Sequence, residues 1–169
     1  MRSPFNSAFR AVLIFVLQLG LSFAAELSHA QTRKPTANEI ASIRNCATKN
    51  KDNLDEGERQ CLFKLVAEPC INKRSGDANK SIVVDRYRID NSIWDGLLNE
   101  NYKSLLDTLD DGQTAKARAM QRAWMAYCDT TCQFYDDKIQ GSMAITMHAT
   151  CVTRELARRA MLLKFFSGL

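Results

Sequence analysis

Six cysteines in a chain of 169 residues are the feature that most restricts how this protein folds. Such a density is unusual for a cytosolic protein, where thiols are kept reduced, and it is typical of small exported domains held together by disulfide bonds. Six half-cystines allow 15 complete pairings, so their spacing has to select among them. The compartment in which the chain folds decides whether these sulfurs pair with one another, bind a metal or stay free.

The N-terminus predicts export. Arg2 and Arg10 flank a positively charged segment at the start of the chain. An apolar run without charge follows at 11–23, and a small-x-small cleavage site ends at Ala30. We therefore predict a secretory signal peptide over 1–30, cleaved after Ala30 or alternatively after Ala24. The apolar run is shorter than the roughly 20 residues that a membrane-spanning helix needs. We expect no integral membrane segment in the mature, periplasmic or secreted protein.

The composition is that of one folded domain, with 46% hydrophobic and 25% charged residues. The net charge of +4 is too small to argue for a nucleic-acid partner, and cleavage of the signal peptide would lower it by one. We expect a flexible tail at 31–35, followed by a single domain over 36–169. The sequence leaves the oligomeric state open.

Helical periodicity recurs along the mature chain, whereas the alternation typical of strands is scarce. Thr36-x-x-Glu39 is a capping box that begins a first short helix, and a second short helix is expected over 56–67. A polar loop at 70–81 follows. Three long helices are predicted over 82–110, 114–138 and 143–166. The predicted fold is therefore all-α, a small bundle of three long helices preceded by two short ones.

Two cysteines flank the turn at Gly141 at nearly equal distances. Cys132 lies nine residues before this glycine and Cys151 lies ten after it. At a rise of 1.5 Å per residue, both stand roughly 14 Å from the turn, on helices that form a hairpin. We therefore predict a Cys132–Cys151 disulfide, which would stabilise the fold by about 3 kcal/mol.

The other four cysteines allow a second and a third pair. Cys46 and Cys61 lie on the two short helices, on either side of a turn, and are expected to bond. By elimination, Cys70 would then pair with Cys128. The bundle is thus predicted to be stapled by disulfides.

A zinc site is the alternative use of these sulfurs. Cys128 and Cys132 share a helical face, as do His148 and Cys151, so the two pairs have the spacing of a tetrahedral site. Export argues against this alternative, because disulfides form outside the cytoplasm. A redox role has still less support, since the chain has no C-x-x-C motif and no βαβ pattern. We expect no bound metal.

Nothing in the sequence points to an enzyme. The nucleophile elbow, the P-loop, the H-E-x-x-H motif and the Gly-rich dinucleotide loop are all missing. After signal cleavage His148 is the only histidine, and a single histidine on an apolar helix is more often structural than catalytic. We expect no catalytic residues and no cofactor. Trp94, Tyr102 and Trp124, at helical spacing, are expected in the core.

Charged clusters offer two candidate contact surfaces. Arg154, Arg158 and Arg159 form a basic face on the last helix, which either complements the helix dipole or binds an anionic partner. Acidic residues cluster at 107–111 and 136–137, where solvated helix ends are the simpler interpretation and docking to a basic partner is the other.

The C-terminal two thirds of the chain carry a set of motifs in a fixed order. They are W-D-x-L-L-N-x-x-Y from Trp94, Q-R-A-W-x-x-Y-x-D-x-x-C from Gln121, G-S-M from Gly141, Cys151, and R-E-x-x-R from Arg154. In order and spacing they resemble the lysozyme inhibitor LprI-like N-terminal domain family of exported bacterial proteins, with the best match over 83–166. The resemblance implies a small helical, disulfide-bonded domain outside the cytoplasm, with lysozyme inhibition as the activity for which the family is named.

The chain departs from the family pattern at two positions. Relatives usually have Arg where Cys128 stands, and they commonly have Cys where this chain has Arg86. The exchange of one half-cystine for another agrees with a Cys70–Cys128 bond. Function is therefore expected in one of two forms. The first is a binding module that inhibits lysozyme. The second is a non-inhibitory structural or stress protein that binds an anionic envelope polymer or another envelope protein through its basic helix face.

Overall fold

The computed structural model describes residues 33–68, 80–139 and 141–169, except for the side chains of 80–84 and of residue 142. The predicted signal peptide lies outside the described residues. Within these ranges the chain forms helices and no strand, which confirms the all-α prediction. In chain order the helices are α1 (Ala37–Lys49), α2 (Leu54–Cys61), α3 (Lys80–Leu106), α4 (Asp111–Ile139) and α5 (Gly141–Phe166). Among these segments, no helix combines the length and apolar character needed to cross a membrane.

The first helix begins at the predicted capping box. The backbone N–H of Glu39 donates to the Thr36 hydroxyl at 3.3 Å, and the backbone N–H of Thr36 donates to the Glu39 carboxylate at 2.8 Å. Arg33 adds a charged hydrogen bond to Glu39 at 2.9 Å. The bond from Arg33, aided by those from Thr36, outweighs burial and lowers the pKa of Glu39 to about 2. A charged carboxylate therefore stands at the positive end of the helix dipole.

The second short helix is shorter than predicted. It spans Leu54–Cys61 rather than 56–67, and Asn53 caps it by accepting a hydrogen bond from the Glu56 amide at 3.1 Å. The helix ends where Leu62 adopts an extended backbone conformation with ψ of 126° and Phe63 a left-handed one with φ of 63°. Such a conformation is strained for a bulky aromatic residue. The Phe63 ring is held edge-on against Tyr87 of α3, with ring centroids 5.2 Å apart.

The turns between the long helices are defined by local hydrogen bonds and by one glycine. Asp110 accepts from the Gln113 backbone at 2.7 Å, and the Gln113 side chain accepts from the Asp110 backbone at 3.1 Å. This reciprocal cap begins α4 at Asp111, three residues before the predicted start. Gly141 has φ of +69°, so the predicted break between the last two helices is confirmed.

Helix α5 is the central element of the bundle. Both α3 and α4 pack along it, and α2 also contacts it. Trp94 from α3 is fully buried against Met161 and Leu163 of α5, as predicted for Trp94. Tyr102 and Trp124 pack against the same core and are partly buried. The amide of Asn101 in α3 also donates to the carbonyl of Ala160 at 2.9 Å, which fixes the two helices against each other.

The two short helices are joined by the predicted Cys46–Cys61 disulfide, with Cα atoms 5.7 Å apart. Asn50, at the end of α1, donates from its side chain to the Cys46 carbonyl at 2.9 Å. Arg44 of α1 binds Glu100 of α3 at the surface. The disulfide therefore closes the α1–α2 pair into a unit that covers one side of α3 and α5.

A carboxyl group lies inside this core. Asp90 of α3 is 0% exposed. The Trp94 indole and the Phe63 backbone amide lie nearest, yet within the described part of the chain neither oxygen of Asp90 has a hydrogen bond of good geometry. Burial, only partly offset by these two neighbours, raises the pKa of Asp90 to about 7. The group is therefore protonated for much of the time near neutral pH.

The contact between α2 and α5 depends on a residue without a side chain. A Cβ atom added at Gly57 would stand 2.6 Å from Sδ of Met161. We expect Gly57→Ala to destabilise the protein by about 1–3 kcal/mol, because the two helices would have to separate. Gly96→Ala is the matched control. Gly96 lies within α3 with open space around it. Gly96→Ala should therefore stabilise the protein by up to about 1 kcal/mol, because alanine favours the helix more than glycine does. Urea unfolding of both variants measures the difference, and equal effects would contradict the close contact.

Replacement of Asp90 by Asn should stabilise the protein increasingly as the pH rises. The folded-state pKa of about 7 lies above the ordinary value of 3.8, so the folded state keeps a proton that the unfolded state loses. The free energy of unfolding of the native chain therefore falls between these two pH values. Asp90→Asn removes this loss. At pH 8 the free energy of unfolding of the variant should exceed that of the native chain by a few kcal/mol, since one pKa unit corresponds to about 1.4 kcal/mol. Urea unfolding at pH 4.5 and pH 8 tests it, and a pH-independent difference would contradict the assignment.

Candidate binding surface

The hairpin of α4 and α5 is closed by the predicted Cys132–Cys151 disulfide. The two Cα atoms are 5.5 Å apart, and both cysteines are buried. Because the helices leave the turn at Gly141 in antiparallel directions, the bond fixes both their register and their facing sides. Two 26–29-residue helices thereby form one rigid unit.

Polar and sulfur contacts connect α4 and α5 at successive levels. From the turn to the far end they are His148–Asp136, Cys132–Cys151, Cys128 near Glu155, and Arg159 with Gln121 and Trp124. At the level nearest the turn, Nδ1 of His148 donates to the Asp136 carboxylate at 2.6 Å. This contact gives His148 a structural partner, in line with its predicted role.

The third predicted disulfide involves a residue that the structure does not describe. Cys128 has a free, buried thiol in the described part of the chain. Cys70 lies outside the described residues, so the Cys70–Cys128 pair stays a prediction. Burial, followed by the nearby charges of Glu155 and Asp129, raises the pKa of the Cys128 thiol. The thiol is therefore kept protonated, which is the opposite of what a nucleophilic or metal-binding cysteine requires.

The alternative of a zinc site is not supported by this arrangement. Two of its four candidate ligands, Cys132 and Cys151, are consumed by a disulfide. His148 is bonded to Asp136, and the Cys128 thiol is the remaining sulfur. Throughout the described part of the chain, no group of three His, Cys, Asp or Glu residues could hold a metal ion.

One side of this hairpin forms an open concavity of about 490 Å³. Met125, Asp129 and His148 line it, together with Cys128, Cys132 and Val152. Met125 is 49% exposed, and Ile145, one helical turn before His148, is 58% exposed. We call the surface formed by Met125, Asp129, Asp136, Ile145 and His148 the hairpin face. It combines exposed apolar side chains with two carboxylates on a rigid support.

Other exposed apolar side chains of the hairpin lie elsewhere. Tyr127 and Phe134 of α4 are 52% and 62% exposed. Phe134 follows Met125 by nine residues, which places the two on opposite sides of α4. The apolar residues at the turn are Ile139 and Met143. Of these exposed apolar residues, Met125 is the one that lines the concavity, with Asp129 beside it.

The three arginines predicted to form a basic face have different environments. Arg158 binds Glu58 of α2 at 2.6 Å, and Arg154 approaches the same carboxylate at 3.6 Å. Both remain about half exposed. Arg159, in contrast, is 5% exposed and donates to the side chain of Gln121 at 2.9 Å. The exposed basic face therefore consists of Arg154 and Arg158, and Arg159 is corrected to an interior residue.

The acidic clusters are partly engaged within the fold. Asp110 caps α4, and Asp136 accepts the hydrogen bond from His148. Asp107, Asp111 and Asp137 are exposed. At 136–137 the acidic cluster adjoins the hairpin face, whereas the cluster at 107–111 lies at the opposite end of α4.

Sequence reasoning missed the contacts of Arg159 and His148, although one signal could have found them. Residues at nearly equal distances on either side of Gly141 face each other in the hairpin, and this rule predicted the Cys132–Cys151 bond. Trp124 lies 17 residues before the glycine and Arg159 lies 18 after it, so the same rule places these two opposite each other. It likewise brings Asp136 near His148. The pairing of Glu58 with two arginines could not be counted in this way, because α2 reaches α5 through tertiary packing.

Comparison with known protein families supplies an independent observation. The family model described as lysozyme inhibitor LprI matches residues 70–163, which is more than half of the chain. The matched segment contains α3, α4 and most of α5, and hence the whole hairpin face. Searches of curated proteins and of solved structures gave no match.

Removal of the hairpin disulfide should destabilise the protein by about 3 kcal/mol, because the bond restricts a loop of 19 residues in the unfolded chain. The variant is Cys132→Ser with Cys151→Ser, measured by urea unfolding. Cys128→Ser is the matched control, since it removes a neighbouring sulfur that forms no disulfide, and it should cost about 1 kcal/mol or less. Equal losses in both variants would contradict a disulfide at this position.

Proposed function

Since this chain belongs to the lysozyme inhibitor LprI family, we propose that it is an exported, non-enzymatic module that binds a lysozyme and inhibits it through the hairpin face. The observation that carries the proposal is that the segment matched by the family model contains a rigid, partly apolar surface, the hairpin face. An exposed apolar concavity rimmed by charges is typical of a protein-binding site.

The rigidity of the hairpin face supports a role in binding. Its residues lie on two helices rather than on loops, and the Cys132–Cys151 bond joins the helices beneath them. A surface that is already in its bound shape loses little conformational entropy on association. Met125 and Ile145, both about half exposed or more, would supply the apolar contact.

Local charge supports a basic partner. The hairpin face contains Asp129 and Asp136, and Asp137 is exposed beside it. The whole chain has a net charge of +4, so its long-range field does not attract a basic lysozyme. Attraction would come from these local carboxylates at close range, where complementary charges fix orientation.

The environments of Cys128 and His148 support a non-enzymatic role. The pKa of the Cys128 thiol is raised by burial, and His148 is engaged by Asp136. The disulfide lies between the two along the hairpin. Cys128 and His148 both line the concavity, but within the described part of the chain no hydrogen bond joins them, as a nucleophile and its base require.

Export is part of the proposal. Two disulfides fit an oxidising compartment. The signal peptide over 1–30, with cleavage after Ala30 or Ala24, would deliver the mature chain to the periplasm or to the medium. The mass of the mature protein, purified from the producing cell, distinguishes the two cleavage sites from an uncleaved chain.

The direct test is lysis of bacterial cell walls by chicken-type, goose-type and invertebrate-type lysozymes, with and without the oxidised mature protein. Dose-dependent inhibition of at least one type, lost when both disulfides are reduced, is the expected result. Absence of inhibition in all three assays would overturn the proposal.

The hairpin face should be the inhibitory surface. We expect Met125→Lys to weaken inhibition at least about tenfold, since it places a cation in the apolar part of the contact opposite a basic partner. Phe134→Lys is the matched control, because Phe134 lies on the opposite side of the same helix and is 62% exposed, against 49% for Met125. It should change inhibition less than about twofold. Inhibition constants from the lysis assay measure both, and equal losses would show that another surface binds.

A second candidate function rests on the exposed basic face. Arg154 and Arg158 lie next to Glu58, and Arg158 also approaches Glu155 at 3.6 Å, yet both arginine side chains remain about half exposed. This surface would bind an anionic envelope polymer or an acidic protein without inhibiting lysozyme. Binding to isolated envelope polysaccharide that weakens with salt and is lost in Arg154→Gln with Arg158→Gln supports it. Salt-independent binding argues against it.

A further inference from the structure

Helix α4 has a long outer side that the rest of the described chain leaves uncovered. In this part of the chain, α5 is the one helix that packs along α4 over an extended contact. The residues of α4 that point away from α5 are exposed, and two of them are aromatic. Tyr127 is 52% exposed and Phe134 is 62% exposed. Aromatic side chains in such positions are typical of protein interfaces.

This outer side is uncharged over about four helical turns. Because an α-helix turns by about 100° per residue, six exposed residues of α4 fall within a single arc of about 100°. They are Ala119, Ala123, Ala126, Tyr127, Thr130 and Phe134. We call these residues the α4 outer face. The exposed face of a helix normally carries charged side chains, so a face without them favours a partner.

Opposite charges stand at the two ends of the α4 outer face. Lys116 lies about one turn before Ala119, and Asp137 lies about one turn after Phe134, both within the same arc. Both are exposed, and neither belongs to an ion pair of the described residues. The surface is therefore positive at one end, uncharged along its length and negative at the other end.

We propose that the α4 outer face binds a second copy of this chain, so that the protein forms a symmetric dimer. The two α4 helices lie antiparallel, with the two-fold axis between Ala126 and Tyr127. A two-fold interface uses the same surface on both copies, so the surface has to be complementary to itself.

The α4 outer face is complementary to itself in side-chain size. In this register Phe134 stands at the level of Ala119 of the second copy, and Tyr127 stands at the level of its Ala126, because the members of each pair lie equally far from the axis. Each aromatic ring therefore meets a small side chain. The two helices can then approach to about 8–10 Å, the usual distance between packed helices.

Charge selects the antiparallel orientation. Lys116 and Asp137 also lie equally far from the axis, so a lysine faces an aspartate of the other copy at both ends of the helix pair. A parallel pair would place lysine against lysine and aspartate against aspartate, and like charges in contact destabilise an interface. The contact of a single helix pair is small, so we expect a weak dimer with a Kd on the order of 10 μM.

The test is sedimentation equilibrium of the oxidised mature protein over about 1–300 μM, a range that brackets this Kd. We expect the mass to rise from that of one chain to that of two. A single chain at every concentration would mean that the α4 outer face binds another protein or none, and it would overturn the proposal.

Variants assign the surface and the register. Phe134→Lys should raise the Kd of the dimer at least about tenfold, because it removes a central aromatic contact. Lys116→Glu alone and Asp137→Lys alone should each raise it at least about fivefold, because each change creates two repulsive contacts per dimer. The last two changes in one chain restore the opposite charges, and the Kd should return to within about twofold of the native value. Circular dichroism checks that each variant folds. A dimer unaffected by Phe134→Lys, or no recovery in the doubly changed chain, overturns the assignment.

Met125→Lys is the matched control, and it separates the dimer from the proposed inhibition. Met125 lies on the side of α4 opposite to Phe134, so this change should alter the Kd of the dimer less than about twofold. Phe134→Lys is therefore expected to lose the dimer and keep inhibition, and Met125→Lys is expected to do the reverse. Sedimentation does not require a lysozyme, so the dimer can be found where inhibition fails. Equal loss of the dimer in both variants would contradict an interface on the α4 outer face.

Discussion

The register between α4 and α5 is the constraint on which the rest of the structure depends. Gly141 reverses the chain through a left-handed conformation, and the Cys132–Cys151 bond then fixes which residues face one another. Every other contact between the two helices follows from that register. A shift by one residue would rotate each side chain by about 100° and separate Asp136 from His148 as well as Trp124 from Arg159.

Helix α5 joins two kinds of packing. Towards α3 and the short helices it presents an apolar core, in which the buried Met161 side chain lies so close to Gly57 of α2 that an added Cβ would force it to shift. Towards α4 it presents the half-cystine Cys151, His148 and Arg159. The apolar side supplies stability through burial. The α4 side instead specifies one arrangement, because polar groups in an interior are tolerated only where their partners are in place.

The sequence was sufficient to predict the helices and two disulfides, because periodicity and counting from a turn are local properties. It failed where tertiary packing overrides local preference. Phe63 is left-handed although bulky aromatic residues avoid that region, and α2 therefore ends six residues early. Arg159 was assigned to the surface because charged residues usually lie there, whereas Gln121 and Trp124 make an interior position tolerable. Cys128 was paired with Cys70 by elimination, an argument that carries no geometry, and this pair stays a prediction because Cys70 lies outside the described residues.

The claim that most needs a test is that the hairpin face contacts a lysozyme. The direct measurement is amide chemical-shift mapping of the isotope-labelled, oxidised protein during titration with chicken-type, goose-type and invertebrate-type lysozymes. The account predicts that, with at least one of them, the largest shifts fall on Met125, Asp129, Ile145 and His148. Shifts confined to the surface of Arg154 and Arg158, or no shifts with any lysozyme, would contradict it.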